Sequence, residues 1–503
     1  MSRTKRFFYN TASTGFYQII LMVAGLITPK IMLNYYGSEI NGLVSSINQF
    51  IVYFNLVEAG LSGAAIFALY KPLAENNHKA INAVVSAAKR FYTQAGYIFV
   101  SLTIGLALFY PLYLETNTLT PQRMAALVLI LGINGALEFF TLAKYRVILA
   151  ADQRTYVISL ASLAHIIINT FIIVVFGTMK IDVVTLRGIA ILSIFSRSLI
   201  LTIYIRKKYK YLSYSEIPNF EALNKRWDAL YLQILGAVHM GSPIILLTVL
   251  TQNLKLVSVY TIFNMIIGAL NGILGIFVSG LSSGFGDVIA KKENNVLERA
   301  YSEFEFVYYA LISIVYSIAF VTIMPFIDIY TQGVTDINYS QPVVGFLFVL
   351  NGILYNIKTP QGMLVISAGL FKETRIQTTV QGGIMLIFGA LLTPYFGIVG
   401  VLVASIFSNL YRDIDLLFFI PKKLTRLPVK TTFLRVARIF SSIVLVGLPF
   451  YFFELLPTGY FEWILNAVLV SIYSVIVVVS TNFIFEKKIM MNTMNRVFGL
   501  LNR

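Results

Sequence analysis

The chain has 503 residues, 57% of them hydrophobic and 12% charged, with a formal net charge of +16. Ordinary soluble domains carry about 25% charged residues, so a water-soluble globule is excluded, and apolar runs of about twenty residues exclude the alternating strands of an outer-membrane barrel. The absence of cysteine removes a disulfide framework, a thiolate metal site and a Cys nucleophile, and three widely spaced histidines, His78, His165 and His239, argue against a His-rich metal centre.

Arg3, Lys5 and Arg6 precede an apolar run from Phe7 to Met32. It is too long for the core of a signal peptide and no small-residue cleavage site follows, so it reads as the first membrane helix. At about 20 apolar residues per crossing, hydropathy predicts fourteen helices. They lie at 9–33, 41–69, 91–113, 124–149, 155–177, 184–205, 229–250, 256–280, 304–326, 342–368, 376–394, 398–420, 433–455 and 460–484. The longest connections, 206–228 and 281–303, are too short for a soluble domain. His165 and His239 fall within spans five and seven, where a neutral hydrogen-bonded contact is expected.

With the amino terminus inside, about 31 of the 39 Lys and Arg residues fall on the cytoplasmic side, including Arg146, Arg435 and Arg438. Only Arg123, Lys180, Arg187 and Lys255 fall outside. Short cytoplasmic loops retain positive charge, so both termini are expected in the cytoplasm. The basicity marks sidedness and contact with anionic headgroups, not nucleic-acid binding.

Setting residues 1–212 against 213–424 brings four short matches into line in the same order. Ala59-Gly60-Leu61-Ser62 lies against Ser279-Gly280-Leu281-Ser282, and Glu75-Asn76-Asn77 against Glu293-Asn294-Asn295. Asn134-Gly135-Ala136-Leu137 lies against Asn351-Gly352-Ile353-Leu354, and Ser193-Ile194-Phe195-Ser196 against Ser405-Ile406-Phe407-Ser408. The expectation is an all-α polytopic membrane protein of two six-helix lobes, 1–212 and 213–424, in parallel repeat. Residues 425–503 add a helix pair and a cytoplasmic tail. Such repeats are a transporter signature, with the substrate held between the halves. The Gly-rich stretch from Ser279 to Gly286 reads as a close helix contact or a bend, not a phosphate cradle.

On these features the chain resembles the polysaccharide-repeat-unit flippases (Wzx type) of the multidrug/oligosaccharidyl-lipid/polysaccharide exporter superfamily. The basic start, Tyr35-Tyr36-Gly37-Ser38-Glu39-Ile40-Asn41-Gly42, Glu58-Ala59-Gly60-Leu61-Ser62 and the plan of twice six helices plus two carry the resemblance. It implies a non-enzymatic protein of the bacterial cytoplasmic membrane that moves a polyprenyl-diphosphate-linked oligosaccharide to the outer leaflet by alternating access, for capsule, O-antigen, exopolysaccharide or teichoic acid assembly. No cofactor is implied; an H+ or Na+ gradient or the membrane potential would drive the movement. Membrane lipids, and the polymerase and glycosyltransferases of the same pathway, are the implied partners.

A charge near the bilayer centre costs about 2.5–3.5 kcal/mol on insertion scales and faces a wet cavity or a partner. Eight residues inside predicted spans qualify: Lys30, Arg197, Lys358 and Arg412, with Glu58, Glu138, Asp413 and Asp415. The cations suit a diphosphate through charge-assisted hydrogen bonds, with Arg197 and Lys358 the foremost candidates. The carboxylates suit either ion coupling or internal pairing, and Arg412 should pair with Asp415 at i+3, not with adjacent Asp413. Two other classes remain open from sequence: a multidrug antiporter of the same superfamily, expected to stop at twelve spans, and a membrane-embedded polysaccharide polymerase or ligase, expected to carry a large outer loop.

Overall fold

The computed structural model describes residues 3–221, 226–279 and 281–501. Every regular element among them is helical. The chain forms two compact units, Met1–Ser258 and Val259–Arg503. The first contains α1 (Arg3–Phe54), α2 (Leu61–Ala74), α3 (His78–Tyr113), α4 (Pro121–Leu137), α5 (Ala143–Ala151), α6 (Thr155–Thr178), α7 (Val183–Ala190), α8 (Leu192–Lys208) and α9 (Arg226–Thr251). Helix α10 (Leu254–Ser279) starts there and continues into the second unit. That unit adds α11 (Ser282–Ala290), α12 (Asn294–Tyr330), α13 (Pro342–Ile357), α14 (Thr359–Ser367), α15 (Arg375–Ile420), α16 (Val429–Phe452) and α17 (Tyr460–Leu501).

Among the described residues, eleven helices are long and apolar enough to cross a membrane. Two of them, Tyr9–Ala74 and Arg375–Thr425, run to 66 and 51 residues, roughly 100 and 77 Å at 1.5 Å per residue, far beyond the ~30 Å of one crossing. Both are broken by glycine. Gly37 (φ 80°) interrupts α1 and Gly397 (φ 53°) interrupts α15, conformations that side chains with a Cβ resist. The predicted span 41–69 is itself discontinuous: α1 ends at Phe54, a 3-10 turn runs Asn55–Glu58, and Gly60 (φ 79°) restarts the chain as α2. The predicted connection 281–303 is mostly helical where described, holding α11, a short turn and the start of α12. Close packing does not account for Gly284, which lies within α11 with open space around it.

The internal repeat recurs in backbone conformation. Left-handed residues come in pairs at nearly constant separation: Gly37 and Gln252, Asn76 and Lys292, Gln153 and Gly369, Lys180 and Gly397. Helix contacts repeat as well. A Cβ on Gly135 would lie 2.4 Å from the Phe99 ring, and one on Gly352, its counterpart, 2.5 Å from the Tyr316 hydroxyl. Phe99 and Tyr316 stand at the same separation as the two glycines. Helices in lipid gain little from excluding apolar surface, so small residues that permit close approach hold them together.

In the first unit α1 packs on α6, α3 on α4, and α6 on α8, around Leu43, Ile47, Leu69, Phe99, Leu127 and Val147. The start of α10 and the end of α9 lie against the second half of α1: Asn41 donates to Ser258 at 2.7 Å, and Ser46 and Thr248 share a hydrogen bond at 2.6 Å. The segment after α8 docks on α3, where Tyr211 stacks on His78 at 3.8 Å and Asn82 bonds the Tyr211 carbonyl and the Ser213 amide. In the second unit α12 is central, with α13, α16 and α17 packed on it.

Candidate functional site: charged clusters at interrupted helices

In the first unit two carboxylates stand where helices are broken. Glu58 ends the 3-10 turn before Gly60. Glu138 opens a π-helical turn, Glu138–Leu142, inserted between α4 and α5, and Thr141 donates its hydroxyl back to the Leu137 carbonyl there. Both carboxylates bind Arg146 of α5: Nη2 lies 2.8 Å from Glu58 and Nη1 2.7 Å from Glu138. Arg197 of α8 approaches the other oxygen of Glu138 at 3.5 Å. The π turn explains the geometry. Arg146 follows Glu138 by eight residues, about 80° off its face in a regular helix, and the extra residue in a π turn brings it round. The structure thus joins Glu58 and Glu138 through Arg146, with Arg197 on the other oxygen of Glu138; the charge count groups Arg146 with the cytoplasmic cations and not with the intramembrane charges. Arg146 is an intrahelical, partly buried cation, in keeping with its place inside the predicted span 124–149. The signal available in the sequence was two carboxylates within spans and a cation two turns after one of them. His165 of α6 is half-buried and its Nδ1 makes no hydrogen bond; the His239 side chain lies outside the described residues.

In the second unit Lys358 sits at the junction of α13 and α14. Pro360 has no amide hydrogen to continue the helix, which accounts for the break. Lys358 donates to the Asn409 side-chain oxygen and lies 4.9 Å from the Tyr355 ring. Asn409 donates to Asn351 at 2.8 Å, and Ser405 donates to the same oxygen at 2.9 Å. Asn409 matches Arg197 in the repeat, so the same helix pair makes the polar contact in each unit with different residues. Arg412 is buried and bonds Asp415 at 2.5 Å, the i+3 partner. Asp413 is not in that pair, and neither of its buried carboxylate oxygens accepts a hydrogen bond. Lys30 is half-buried on α1 beside Pro29.

A further ion network joins α12, α16 and α17. Arg435 reaches Glu305 and Glu486 at 2.8 Å each, Arg438 reaches Glu486 at 2.8 Å, and Tyr301 and Thr432 donate to Glu305 at 3.0 and 3.1 Å. Arg435 and Glu305 are only 2% and 1% exposed. Arg435 and Arg438, which the charge count groups with the cytoplasmic cations, both lie within α16, inside the predicted span 433–455. Elsewhere α16 and α17 flank an open apolar groove of about 570 Å³, lined by Phe450, Leu465, Leu469, Ile472 and Tyr473 among others.

No family model matches the chain, and no curated protein matches it. Solved structures do. One described as lipid II flippase MurJ in an inward closed conformation has a TM-score of 0.68 at 16% identity, covering 94% of this chain and 98% of that one. An inward-facing multidrug resistance MATE transporter of the MOP superfamily has a TM-score of 0.63 at 14% identity, covering 84% of this chain and 96% of that one. A MATE structure in a bent conformation has a TM-score of 0.55 at 14% identity, covering 86% and 95%. The chain has the fold of these transporters.

Proposed function

We propose that this chain is a flippase for polyprenyl-diphosphate-linked oligosaccharide, of the Wzx type, working by alternating access without enzymatic chemistry. The observation that carries the reading is the meeting of guanidinium and ammonium groups with interrupted helices in each unit: Arg197 beside the π turn, Lys358 at the α13–α14 break. Discontinuous helices at corresponding positions of two repeats mark the substrate site in secondary transporters, and a cation there suits a phosphate. Fourteen crossings follow if the two overlong helices each cross twice and α9 crosses once. The groove between α16 and α17 suits a polyprenyl chain. The twelve-helix plan expected of multidrug exporters has no counterpart for that pair. On this reading residues 1–212 and 213–424 are the moving lobes, both termini are cytoplasmic, Arg412 and Lys30 are secondary phosphate contacts, and Asp413, with its unbonded oxygens, is the foremost coupling carboxylate for H+ or Na+.

The test is export in cells. Arg197→Ala and Lys358→Ala proteins are expected in the membrane at normal level, with lipid-linked repeat units accumulating on the cytoplasmic side. Loss of one charge-assisted contact costs about 1.5–3 kcal/mol, roughly ten- to a hundredfold in binding. Lysine at 197 and arginine at 358 should retain part of the activity, since Coulomb attraction survives while bidentate geometry does not. Full export by both alanine variants would overturn the reading.

A further inference from the structure

The ion clusters around Arg146 and Arg435 differ in one respect that bears on ligand binding. The Arg435–Glu305 pair is sealed, and Arg435 uses all three guanidinium nitrogens on protein acceptors. The cluster around Arg146 is not sealed: the side chains of Arg146, Glu58 and Glu138 are 26%, 23% and 30% exposed. Charges within membrane helices do not face hydrocarbon, so those surfaces border water. It is also incompletely bonded, since Arg197 Nε and Glu58 Oε2 are buried and make no hydrogen bond.

We propose that Arg146 and Arg197 form a diphosphate-binding site within the first unit, and that Glu138, with Glu58, is a resident counter-anion which the diphosphate displaces. This rests on the lipid-diphosphate reading above and adds to it a residue, Arg146, and a mechanism of exchange. The physical logic is one of charge balance. Two guanidinium groups in a low-dielectric setting need two negative charges, and Glu58 and Glu138 supply them. Glu138 alone touches both arginines, one through each oxygen, as a bridging diphosphate would. Arrival of the ligand exchanges one set of charge-assisted hydrogen bonds for another, so the net gain is small and the ligand can leave again. A site of bare arginines would hold its cargo too tightly to turn over.

The proposal makes a counterintuitive demand: removing a negative charge must strengthen binding. The full chain in nanodiscs is titrated with undecaprenyl diphosphate and, separately, with inorganic pyrophosphate. Glu138→Gln is expected to bind the lipid about tenfold more tightly than wild type, the equivalent of one lost competing contact, and to flip it more slowly. Arg146→Ala is expected to bind at least tenfold more weakly, and Arg146→Lys in between. Melting of each variant is followed in parallel; should Glu138→Gln fail to fold, Glu58→Gln carries the same test. A folded Glu138→Gln or Glu58→Gln protein with unchanged or weaker affinity overturns the exchange mechanism. Wild-type binding that survives Arg146→Ala places the diphosphate elsewhere and overturns this site while leaving the flippase reading intact. Failure of wild type to bind the lipid, or binding of pyrophosphate alone, overturns the flippase reading itself.

Discussion

Among the described residues, Arg435 is the most heavily committed charge. It bonds Glu305 and Glu486, and also the Ser302 carbonyl and hydroxyl at 3.0 and 3.1 Å. Arg435→Ala leaves Glu305 buried without its cation, and removing one member of a buried pair costs about 3–5 kcal/mol. For a unit the size of Val259–Arg503, at about 2–4 °C per kcal/mol, Tm should fall by roughly 6–20 °C. The double variant Glu305→Gln/Arg435→Met removes both charges and keeps similar volume, so it should recover most of that loss. The assay is heating of the purified full chain in detergent at a fixed rate, because unfolding of such chains is irreversible and rate-dependent, with the surviving fraction read by size exclusion. Melting of Arg435→Ala within about 2 °C of wild type would refute the claim that this network fastens α16 and α17 to α12. So would a double variant no better than the single one.

Gly135→Ala should destabilise by about 1–3 kcal/mol through overpacking against Phe99, measurable in the same melt, with Gly352→Ala behaving alike against Tyr316; no loss in either would remove the repeat contact as a structural requirement. Leu469→Trp, which fills the groove between α16 and α17, should slow flipping of a long polyprenyl carrier more than of a short analogue in proteoliposomes, and equal slowing would detach the groove from the lipid chain. Asp413→Asn should make flipping indifferent to an imposed H+ or Na+ gradient while lipid binding persists; unchanged gradient dependence would eliminate it as the coupling group. Tags after Arg503 and in the 206–228 connection should be inaccessible to labels added outside intact cells, and labelling of either would reverse the orientation.

Hydropathy and four short matches were enough to read a helical membrane fold and its repeat, because the length of apolar runs and the order of Gly-containing turns are written locally. Arg412 and Asp415 were legible for the same reason: i+3 spacing on one helix sets their distance. The partners of Glu58 and Glu305 were not legible. They come from helices 88 and 130 residues away, and Arg146, Arg435 and Arg438 sit close enough to the ends of their predicted spans that charge counting groups them with the cytoplasmic cations. Sidedness statistics weigh where cations collect and carry no information about what packs against each one. The π turn at Glu138 was equally hidden, since nothing in Glu138–Leu142 separates a widened turn from a regular one before packing acts on it.

The repeat is kept in backbone geometry and abandoned in charge. Left-handed turns and the glycine–aromatic contacts recur at matching positions. By the same alignment Glu138 corresponds to Tyr355, Arg146 to Met363, Arg197 to Asn409 and Lys358 to Thr141. If these charges served only to hold helices together, the equivalent helices of the other unit would need the same fastening, yet Met363 there is buried among apolar neighbours with no ion pair at its position. The scaffold therefore stands without the charges, and their one-sidedness calls for an asymmetric cause. A lipid diphosphate linked to a sugar chain is such a ligand, charged at one point along its length. On the flippase reading, the shared geometry carries the movement of the two halves and the unshared charges carry the choice of cargo, so substitutions at Arg146 or Lys358 should alter what is transported well before they alter whether the protein folds.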